Sequence, residues 1–307
     1  MTKGPSSKTA HPWDAVVLGA GAAGLSAALW LARSRRRVLV VHDGSPRNRR
    51  AVRVNGYLGL EEIAPLELAR RGQAQVRQHG GHVRRFRVRG VRRVGDLFVL
   101  SGDAAGRAHR LVARAILVAV GLEDEIPRWA RPWYGRRVHH CGDCDGPEYV
   151  GRTVVVTGDG AGLPGFVRHL QRWAAHVIVV SPRRHRAAVR GRDGAQWIVG
   201  RIASARAGGH SSPLLLRLDD GRELSCHGAF FLSHWKARVD PLRRLRLATL
   251  RGGLLRVDKH HRTSVRGAFA AGDVTHGSQL SIVAAAEGAM AALSVNDWLD
   301  DPRCRWK

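Results

Sequence analysis

The feature that most constrains the fold is a glycine-rich turn near the start of the chain, between an apolar run and a segment of small residues. Residues 15–18 have the length and composition of a buried strand, and Gly-Ala-Gly-Ala-Ala-Gly follows at 19–24. Residues 25–34 then predict a helix, and residues 37–41 predict a second strand. A strand, a G-x-G-x-x-G turn, a helix and a strand in this order predict a βαβ unit that binds a dinucleotide.

The three glycines of this turn have separate physical roles. Gly19 permits the tight turn, Gly21 lets the backbone approach a diphosphate, and Gly24 lets the helix pack closely on the strand. The diphosphate then lies at the positive end of the helix dipole. The predicted dinucleotide-binding residues of the turn are Gly19, Gly21, Ala22, Ala23 and Gly24.

The end of the second strand departs from the usual pattern. An acidic residue commonly stands there and binds the ribose hydroxyls. Here His42 follows Val41, and Asp43 comes one position later. Either Asp43 binds the ribose after a small shift of register, or the ribose is held in another way.

A second βαβ pattern lies in the middle of the chain. Strand-like runs at 153–156 and 177–180 flank a helix-forming segment, and a turn that contains Gly158 and Gly160 follows the first run. When this turn is aligned on those two glycines, Leu163 stands in the third glycine position. The bulky side chain weakens the prediction of a phosphate site.

Charged residues around the second turn give opposing indications about a phosphate site. Asp159 inside the turn disfavours a phosphate, whereas Arg183 and Arg184 follow the second strand, where they can pair with a 2′-phosphate and select NADPH over NADH. Two interpretations stay open, a nicotinamide dinucleotide site that uses Gly158, Gly160, Arg183 and Arg184, or a Rossmann unit with a structural role alone.

The remaining elements are predicted from shorter patterns. An amphipathic segment at 61–78 predicts a helix, and an apolar run at 113–120 predicts a buried strand that ends at Gly121, near which the chain crosses between two domains. Apolar runs at 228–232 and 253–257 predict two further strands.

Two cysteines stand at C-x-x-C spacing in the sequence His140-Cys141-Gly142-Asp143-Cys144. This spacing suits a disulfide that opens and closes across one turn at a helix start, where the helix dipole favours a thiolate. Attack of one thiolate on a substrate disulfide, followed by attack of the second on the mixed disulfide, is the exchange that such a pair serves.

A zinc site is the rival interpretation of the cysteine pair. It would need two further ligands at suitable spacing, and Cys226 and Cys304 form no second pair, although His139 and His140 are adjacent. The sequence therefore favours redox chemistry and predicts no metal. His140 abuts the pair and is a candidate catalytic residue, whereas His139 is more typical of a strand end or a solvent position.

The charge and the chain start bear on partners and location. The formal net charge of +26 attracts polyanions at low salt. Its arginines are scattered and lack interleaved aromatic residues, so the charge does not predict nucleic-acid binding as the main role. The start of the chain lacks the apolar region of a secretory signal, and no apolar run reaches the roughly 18 residues of a membrane span. We expect a cytoplasmic protein without membrane association.

The order of motifs resembles the thioredoxin-reductase-like flavoproteins along nearly the whole chain. The first glycine turn, Pro46-Arg47-Asn48, the segment from His140 to Gly146, and Phe269-Ala-Ala-Gly-Asp-Val274 carry this resemblance. It implies an α/β fold of two Rossmann-like domains of the three-layer ββα type, the second inserted in the first. Residues 12–120 and 246–307 would bind FAD, and residues 121–245 would bind NAD(P)H and carry the cysteine pair.

The resemblance also implies roles for single residues. Cys144 matches the cysteine beside the flavin, Cys141 the one that attacks substrate, and Asp145 the acid/base. Asp273 matches a residue near the ribityl-phosphate chain of FAD, and Gln279 one near the isoalloxazine. Further cofactor-binding positions implied in this way are Asp43, Asn48, Gly121 and Gly272.

By resemblance, electrons would pass from NADPH to FAD, to the Cys141–Cys144 disulfide, and out to a thioredoxin-like protein or a small-molecule disulfide, in a homodimer. Asp143 is a departure, since a carboxylate disfavours a nearby thiolate. The segment is also similar to dithiol oxidases of gliotoxin and holomycin type, which carry His where this chain has Asp145. An oxidase that closes a disulfide in a small natural product with oxygen stays open, as does a non-catalytic redox-sensing flavoprotein.

Overall fold

A computed structural model describes residues 11–183, 194–207, 212–250, 252–302 and 306. These residues fall into two compact units, each assembled from separate stretches of the chain. The first unit contains the described residues within Met1–Arg47, Leu66–Glu123 and Lys236–Lys307, and the second contains those within Asn48–Pro65 and Asp124–Trp235.

The unit boundaries lie three and ten residues from the predicted domain boundaries at 120/121 and 245/246. The chain passes between units at 123/124 and 235/236, and residues 48–65 group with the second unit although they stand between two parts of the first. The assignment of FAD to residues 12–120 and 246–307, and of NAD(P)H to 121–245, stays a prediction.

The helices and strands have the following bounds in the described chain. The strands are β1 Trp13–Leu18, β2 Val38–His42, β3 His82–Arg85, β4 Arg87–Val94, β5 Leu97–Ala104, β6 Arg107–Val118, β7 Leu122–Asp124, β8 Val138–His139, β9 Thr153–Thr157, β10 His176–Ser181, β11 Gln196–Val199, β12 Ile202–Ala207, β13 Leu214–Leu218, β14 Glu223–Cys226, β15 Gly228–Phe231, β16 Trp235–Ala237 and β17 Ala268–Ala270. The helices are α1 Ala22–Arg33, α2 Pro65–Gln78, α3 Gly142–Asp145, α4 Leu163–Leu170 and α5 Ser281–Asp300, and 3-10 helices span Arg128–Ala130, Gly146–Tyr149 and Asp240–Leu245.

The first unit is built on a sheet with the order β3-β2-β1-β6-β5-β4, and β17 pairs with β6 beside this path. Strands β1, β2, β3, β6 and β17 are parallel, while β4 and β5 extend the sheet as an antiparallel hairpin. β1, α1 and β2 thus form the predicted first βαβ unit. Residues 15–18 of β1 and 38–41 of β2 are apolar and buried, and their side chains belong to the two hydrophobic clusters on the two faces of the sheet.

Small residues allow helices α1 and α5 to approach closely in this unit. A Cβ atom on Gly288 would lie only 2.0 Å from the carbonyl oxygen of Ala23. A larger residue at this position would therefore push α5 away from the start of α1, which is the end of the helix that carries the glycine turn.

The second unit contains a parallel sheet with the order β11-β10-β9-β15-β8 and an antiparallel sheet with the order β12-β13-β14. β9, α4 and β10 form the predicted second βαβ unit. Because β8, β15 and β9 are parallel, their carboxyl ends meet at one edge of the sheet. Cys141 follows β8 and Gly158 follows β9 at this edge, where ligands of open α/β sheets bind.

The sheet orders and the division into two units confirm the α/β class with two Rossmann-like domains, the second inserted in the first. Within the described part of the chain, no helix is long and apolar enough to cross a membrane.

Two local predictions were wrong. The helix predicted over 61–78 begins at Pro65, because proline favours the first turn of a helix, where no N–H is required. Residues 253–257 form no strand: Gly252 and Gly253 have φ of 89° and 83° and turn the chain, and Leu255 makes an isolated bridge with Thr249.

Candidate active site

Cys141 and Cys144 form a disulfide at the start of helix α3. Cys141 is the N-cap residue, and its Sγ accepts a hydrogen bond of 3.1 Å from the backbone N–H of Cys144. This is the helix-start position that the C-x-x-C spacing predicted. An N–H group aimed at Sγ stabilises negative charge there, so the geometry favours a thiolate at Cys141 once the disulfide opens.

The glycine between the cysteines packs against the ring of His169, which a larger residue would displace. A Cβ atom on Gly142 would lie 2.7 Å from Cδ2 of His169. His169 in turn has its Nε2 2.9 Å from Oδ1 of Asp143, which is 65% exposed. The imidazole of His169 thus contacts the carboxylate that the sequence identified as unfavourable for a thiolate.

Asp145, at the end of α3, contacts a buried histidine. Its Oδ1 lies 3.3 Å from Nδ1 of His139, and Nε2 of His139 lies 2.9 Å from the hydroxyl oxygen of Tyr149. His139 stands at the end of β8, as expected, but it is buried and does not face solvent. Burial raises the pKa of Tyr149 far above its ordinary value, so its hydroxyl stays protonated.

His140 takes a different environment from His139. Its Nδ1 lies 2.8 Å from the hydroxyl oxygen of Tyr134, and its ring lies beside Phe231, with 6.2 Å between centroids. The two histidines before Cys141 therefore each contact a buried tyrosine hydroxyl, Tyr149 for His139 and Tyr134 for His140.

Residues 48–65 contribute a second set of contacts to the cysteine helix. Asn55 Nδ2 donates to the carbonyl oxygen of Cys144 at 2.8 Å and to Oε1 of Glu148 at 3.1 Å. Arg53 bridges Glu148 and Glu62, with Nε 3.3 Å from Glu148 Oε1 and Nη1 2.7 Å from Glu62 Oε1. These contacts fix the carboxyl end of α3.

The first glycine turn has the shape that a dinucleotide diphosphate requires. Gly19 has φ of 113°, and a Cβ atom on it would lie 2.2 Å from the carbonyl oxygen of Ala119. A Cβ atom on Gly24 would lie 1.9 Å from the carbonyl oxygen of Gly19, whereas one on Gly21 would meet open space. Helix α1 begins at Ala22 with no side-chain cap, so its first N–H groups can bind a phosphate. These residues fit FAD.

The C-terminal motif lies beside this turn in the first unit. A Cβ atom on Gly272 would lie 2.8 Å from Cβ of Ala23. Arg47 Nη1 joins the next two predicted residues, at 2.9 Å from Asp273 Oδ2 and 2.7 Å from Gln279 Oε1. The fold thus brings together residues that stand more than 200 positions apart in sequence.

The other predicted cofactor residues are more scattered. Asp43 Oδ2 lies 3.9 Å from Nη1 of Arg238, and Oδ1 accepts the N–H of Ser45. Gly121 has φ of 64°, and its carbonyl oxygen accepts the N–H of Arg238. Asn48 belongs to the second unit, whereas Asp43 and Gly121 belong to the first.

The second glycine turn differs from the first in where its helix begins. α1 starts at the fourth residue of its motif, whereas α4 starts at the sixth, Leu163, whose side chain is fully buried in the core. Pro164 then lacks an N–H, and Asp159 adds a carboxylate, so fewer donors face a phosphate here. Arg183 follows β10 as predicted, while Arg184 lies outside the described residues.

The described residues hold no group of three or more His, Cys, Asp or Glu side chains that could bind a metal ion. Cys226 is a buried free thiol, and burial raises its pKa to about 12, so it stays protonated at physiological pH. Cys304 lies outside the described residues.

Comparison with known proteins identifies the family. The sequence pattern of the pyridine nucleotide-disulphide oxidoreductase family matches residues 13–288. Since this match spans most of the chain, the chain belongs to that family. It is therefore an FAD-dependent disulfide oxidoreductase of the thioredoxin-reductase-like kind, in a family that uses FAD and NADPH. The enzymatic interpretation is confirmed.

Individual relatives cover nearly the whole chain. A thioredoxin reductase of Treponema pallidum is 28% identical and covers 94% of this chain and 97% of the relative. The thioredoxin reductase tcpT of Claviceps purpurea is also 28% identical, over 86% of this chain and 87% of the relative. The crystal structure of HlmI is similar with a TM-score of 0.87 and 29% identity, over 94% of this chain and 93% of HlmI.

Sequence reasoning missed several residues around the cysteine pair. Asn55 and Arg53 precede it by about ninety positions, and no motif links the two segments. His169 was missed because it stands in an ordinary helical pattern. Tyr149 could have been noticed only from its spacing to His139, which has no established meaning by itself.

Proposed function

We propose that the chain catalyses thiol–disulfide exchange between its Cys141–Cys144 pair and a substrate, with FAD as the redox partner of the pair. The observation that carries this proposal is the disulfide at the start of α3, with the Cys144 N–H aimed at Cys141 Sγ and Asp145 one residue further on. When bound, FAD gives or takes the electron pair, and in the reductase direction NADPH is the electron source.

In the reductase direction, the reduced pair opens a substrate disulfide. The Cys141 thiolate attacks one substrate sulfur, the substrate S–S bond breaks, and the first product leaves as a thiol with a proton from Asp145. Cys144 then loses its proton to Asp145 and attacks Cys141 Sγ, which releases the second product thiol and restores the disulfide. The relatives described as thioredoxin reductases support a thioredoxin-like protein or a small-molecule disulfide as substrate.

Dithiol oxidation is the second candidate, in which the same steps run in reverse and close a disulfide in a small dithiol with oxygen as the final acceptor. The second glycine turn favours it, because the late start of α4, Pro164 and Asp159 reduce the donors available to a nicotinamide dinucleotide.

Anaerobic reduction of the flavin distinguishes the two directions. The purified protein would be mixed under nitrogen with NADPH in one arm and with dithiothreitol in the other, and flavin absorbance followed by stopped flow. Rapid bleaching by NADPH supports the reductase. Bleaching by dithiothreitol with no response to NADPH supports the oxidase, and a protein that binds no flavin would contradict both.

We further propose that the enzyme is a cytoplasmic homodimer. Trp30 on α1 is 42% exposed, and Met290 and Leu293 on α5 are 55% and 46% exposed. These two helices pack together, and exposed apolar side chains on them favour self-association. Sedimentation of the wild type and of a Met290→Glu/Leu293→Glu variant tests this, since the variant should sediment as a monomer.

A further inference from the structure

The exchange reaction above uses Asp145 but gives no role to the histidine that contacts it. His139 is 4% exposed, and its two ring nitrogens face two different partners, Asp145 at 3.3 Å and the Tyr149 hydroxyl at 2.9 Å. The rings of Tyr149 and Phe230 lie against its ring, with centroids at 5.7 Å and 5.4 Å. A buried imidazole needs partners for both nitrogens, and here one partner is the proposed acid/base.

We propose that His139 and Tyr149 are positioning residues for Asp145, and that His139 exchanges a proton with Asp145 during thiol–disulfide exchange. This inference rests on the proposed function. It gives Asp145, which is partly exposed, and the buried residues His139 and Tyr149 a part in the proton transfers of the cysteine pair.

The proton balance needs a site that holds one proton at a time. The Cys141 thiol gives its proton to Asp145 before attack, and the first product thiolate takes it back. The Cys144 thiol then gives its proton to Asp145, and the second product thiolate takes that one. Both protons of the dithiol thus end on the two product thiols, while one S–S bond breaks and one forms.

His139 shares the proton during each interval in which Asp145 holds it. With the proton on Asp145, the carboxyl group donates to Nδ1 of a neutral imidazole. With the proton on Nδ1, an imidazolium donates to an aspartate carboxylate, and the opposite charges stabilise each other. The transfer between these two states runs along the single contact of 3.3 Å.

Tyr149 selects the tautomer that makes this transfer feasible. In both states Nε2 carries hydrogen and donates to the tyrosine oxygen, so the neutral imidazole keeps a free electron pair on Nδ1. Without the hydroxyl, a hydrogen on Nε2 would be buried without an acceptor. The hydrogen would then shift to Nδ1, and His139 could no longer accept a proton from Asp145.

Other charged groups around these three residues do not replace His139. Glu148, Asp145, Arg137 and Cys226 act electrostatically on Tyr149. Cys226 stays protonated, and Glu148 is held by Arg53 and Asn55. His140 contacts Tyr134, and His169 contacts Asp143. His139 is thus the histidine whose contact with Asp145 is observed.

Single-turnover exchange tests the inference. The holoenzyme would be reduced with dithiothreitol, desalted without oxygen, and mixed at pH 7.5 with bis(2-hydroxyethyl) disulfide, whose product thiols need a proton. Product thiol would be counted in acid-quenched samples. His139→Gln should react about tenfold more slowly than the wild type. In an Asp145→Asn background the same change should have little further effect, because His139 acts through Asp145.

Two further variants separate positioning from a structural effect. Tyr149→Phe keeps the packed ring, and it should show the rate loss of His139→Gln, with no additional loss in the double variant. His176→Gln, a change at an exposed histidine of β10, should keep the wild-type rate. Bound FAD and the unfolding temperature identify any variant that does not fold, in which case the Tyr149→Phe rate decides.

The outcomes separate failure of this inference from failure of the proposed function. If the wild type exchanges through its cysteine pair and both His139→Gln and Tyr149→Phe keep the wild-type rate, the inference is wrong and the exchange reaction stands. If the wild type shows no exchange that depends on Cys141 and Cys144, the proposed function itself is wrong.

Discussion

Arg47 Nη1 lies 2.9 Å from Oδ2 of Asp273, and both side chains are mostly buried, with 15% and 19% of their surface exposed. This ion pair joins the segment after β2 to the segment before α5, beside the glycine turn. We expect Arg47→Met to leave Asp273 unpaired and to destabilise the first unit by about 2–3 kcal/mol. The FAD content after gel filtration should fall together with the unfolding temperature.

A second arginine–aspartate ion pair in the same unit provides the matched control for this prediction. Arg89 Nε lies 2.7 Å from Asp103 Oδ2, but the side chains are 58% and 38% exposed. Arg89→Met should change the unfolding free energy by less than about 1 kcal/mol and leave FAD content unchanged. Equal FAD retention in the two variants would contradict a role for the Arg47–Asp273 pair at the cofactor.

The three described cysteines should differ sharply in reactivity after reduction. Cys141 and Cys144 stand at a helix start, whereas Cys226 is buried and burial raises the pKa of its thiol to about 12. Iodoacetamide at pH 8 should therefore label Cys141 and leave Cys226 unmodified until the protein unfolds, as peptide mass mapping would show. Cys226→Ser should keep full exchange activity, and Cys141→Ser should abolish it. Rapid labelling of Cys226 in the folded protein would contradict the burial argument.

The charge on Asp143 should slow exchange, and His169 should limit that effect. Asp143 Oδ1 lies 2.9 Å from His169 Nε2 and is close to the cysteines in sequence. We expect Asp143→Asn to raise the single-turnover exchange rate about threefold to tenfold at pH 7, because one like charge at several ångströms costs the thiolate about 1 kcal/mol.

A double-variant cycle checks that the two residues act together. His169→Gln should lower the exchange rate in the presence of Asp143 and have a smaller effect in the Asp143→Asn background. The same effect of His169→Gln in both backgrounds would show that the contact does not influence the cysteines.

The free energy of unfolding should fall as the pH drops below the ordinary pKa of histidine, in part because of His261. Burial lowers the pKa of His261 from its ordinary value of 6.5, and its Nδ1 is buried with no hydrogen-bond partner among the described residues. The unfolded chain therefore binds a proton at a higher pH than the folded protein does. The free energy of unfolding falls from about pH 6.5 down to the lowered pKa of the folded state.

Urea unfolding at pH 7.5 and pH 5.5 measures this loss. His261→Asn should reduce it, since asparagine does not titrate and tolerates the φ of 57° found at this position. His260→Asn, at the exposed neighbour, should leave it unchanged. An unaltered pH dependence in His261→Asn would contradict the argument.

The parts of the fold that could be predicted from sequence are those in which local pattern and local structure coincide. The strand at 15–18, the turn that starts at Gly19 and helix α1 were predictable because glycine positions, apolar runs and helix length reinforce one another within thirty residues. The helix start at Cys141 followed from two cysteines three residues apart.

The parts that could not be predicted depend on contacts between distant segments. No local pattern indicates that Asn55 reaches Cys144, that His169 meets Asp143, or that residues 48–65 join the second unit. The sequence marked His139 as a strand-end residue, and only the parallel pairing of β8 with β15 explains its burial against Phe230. At such positions the burial and the contacts of a side chain depend on how distant segments pack together.

Electron counting tests the central claim most directly, namely that the Cys141–Cys144 pair exchanges electrons with the flavin. The holoenzyme would be titrated with dithionite under nitrogen while flavin absorbance is recorded. Wild-type protein should take up about four electrons per FAD, two for the flavin and two for the disulfide, and a Cys141→Ser/Cys144→Ser variant should take up about two. An uptake of about two electrons by both proteins would show that the cysteine pair is not coupled to the flavin, and would contradict the account.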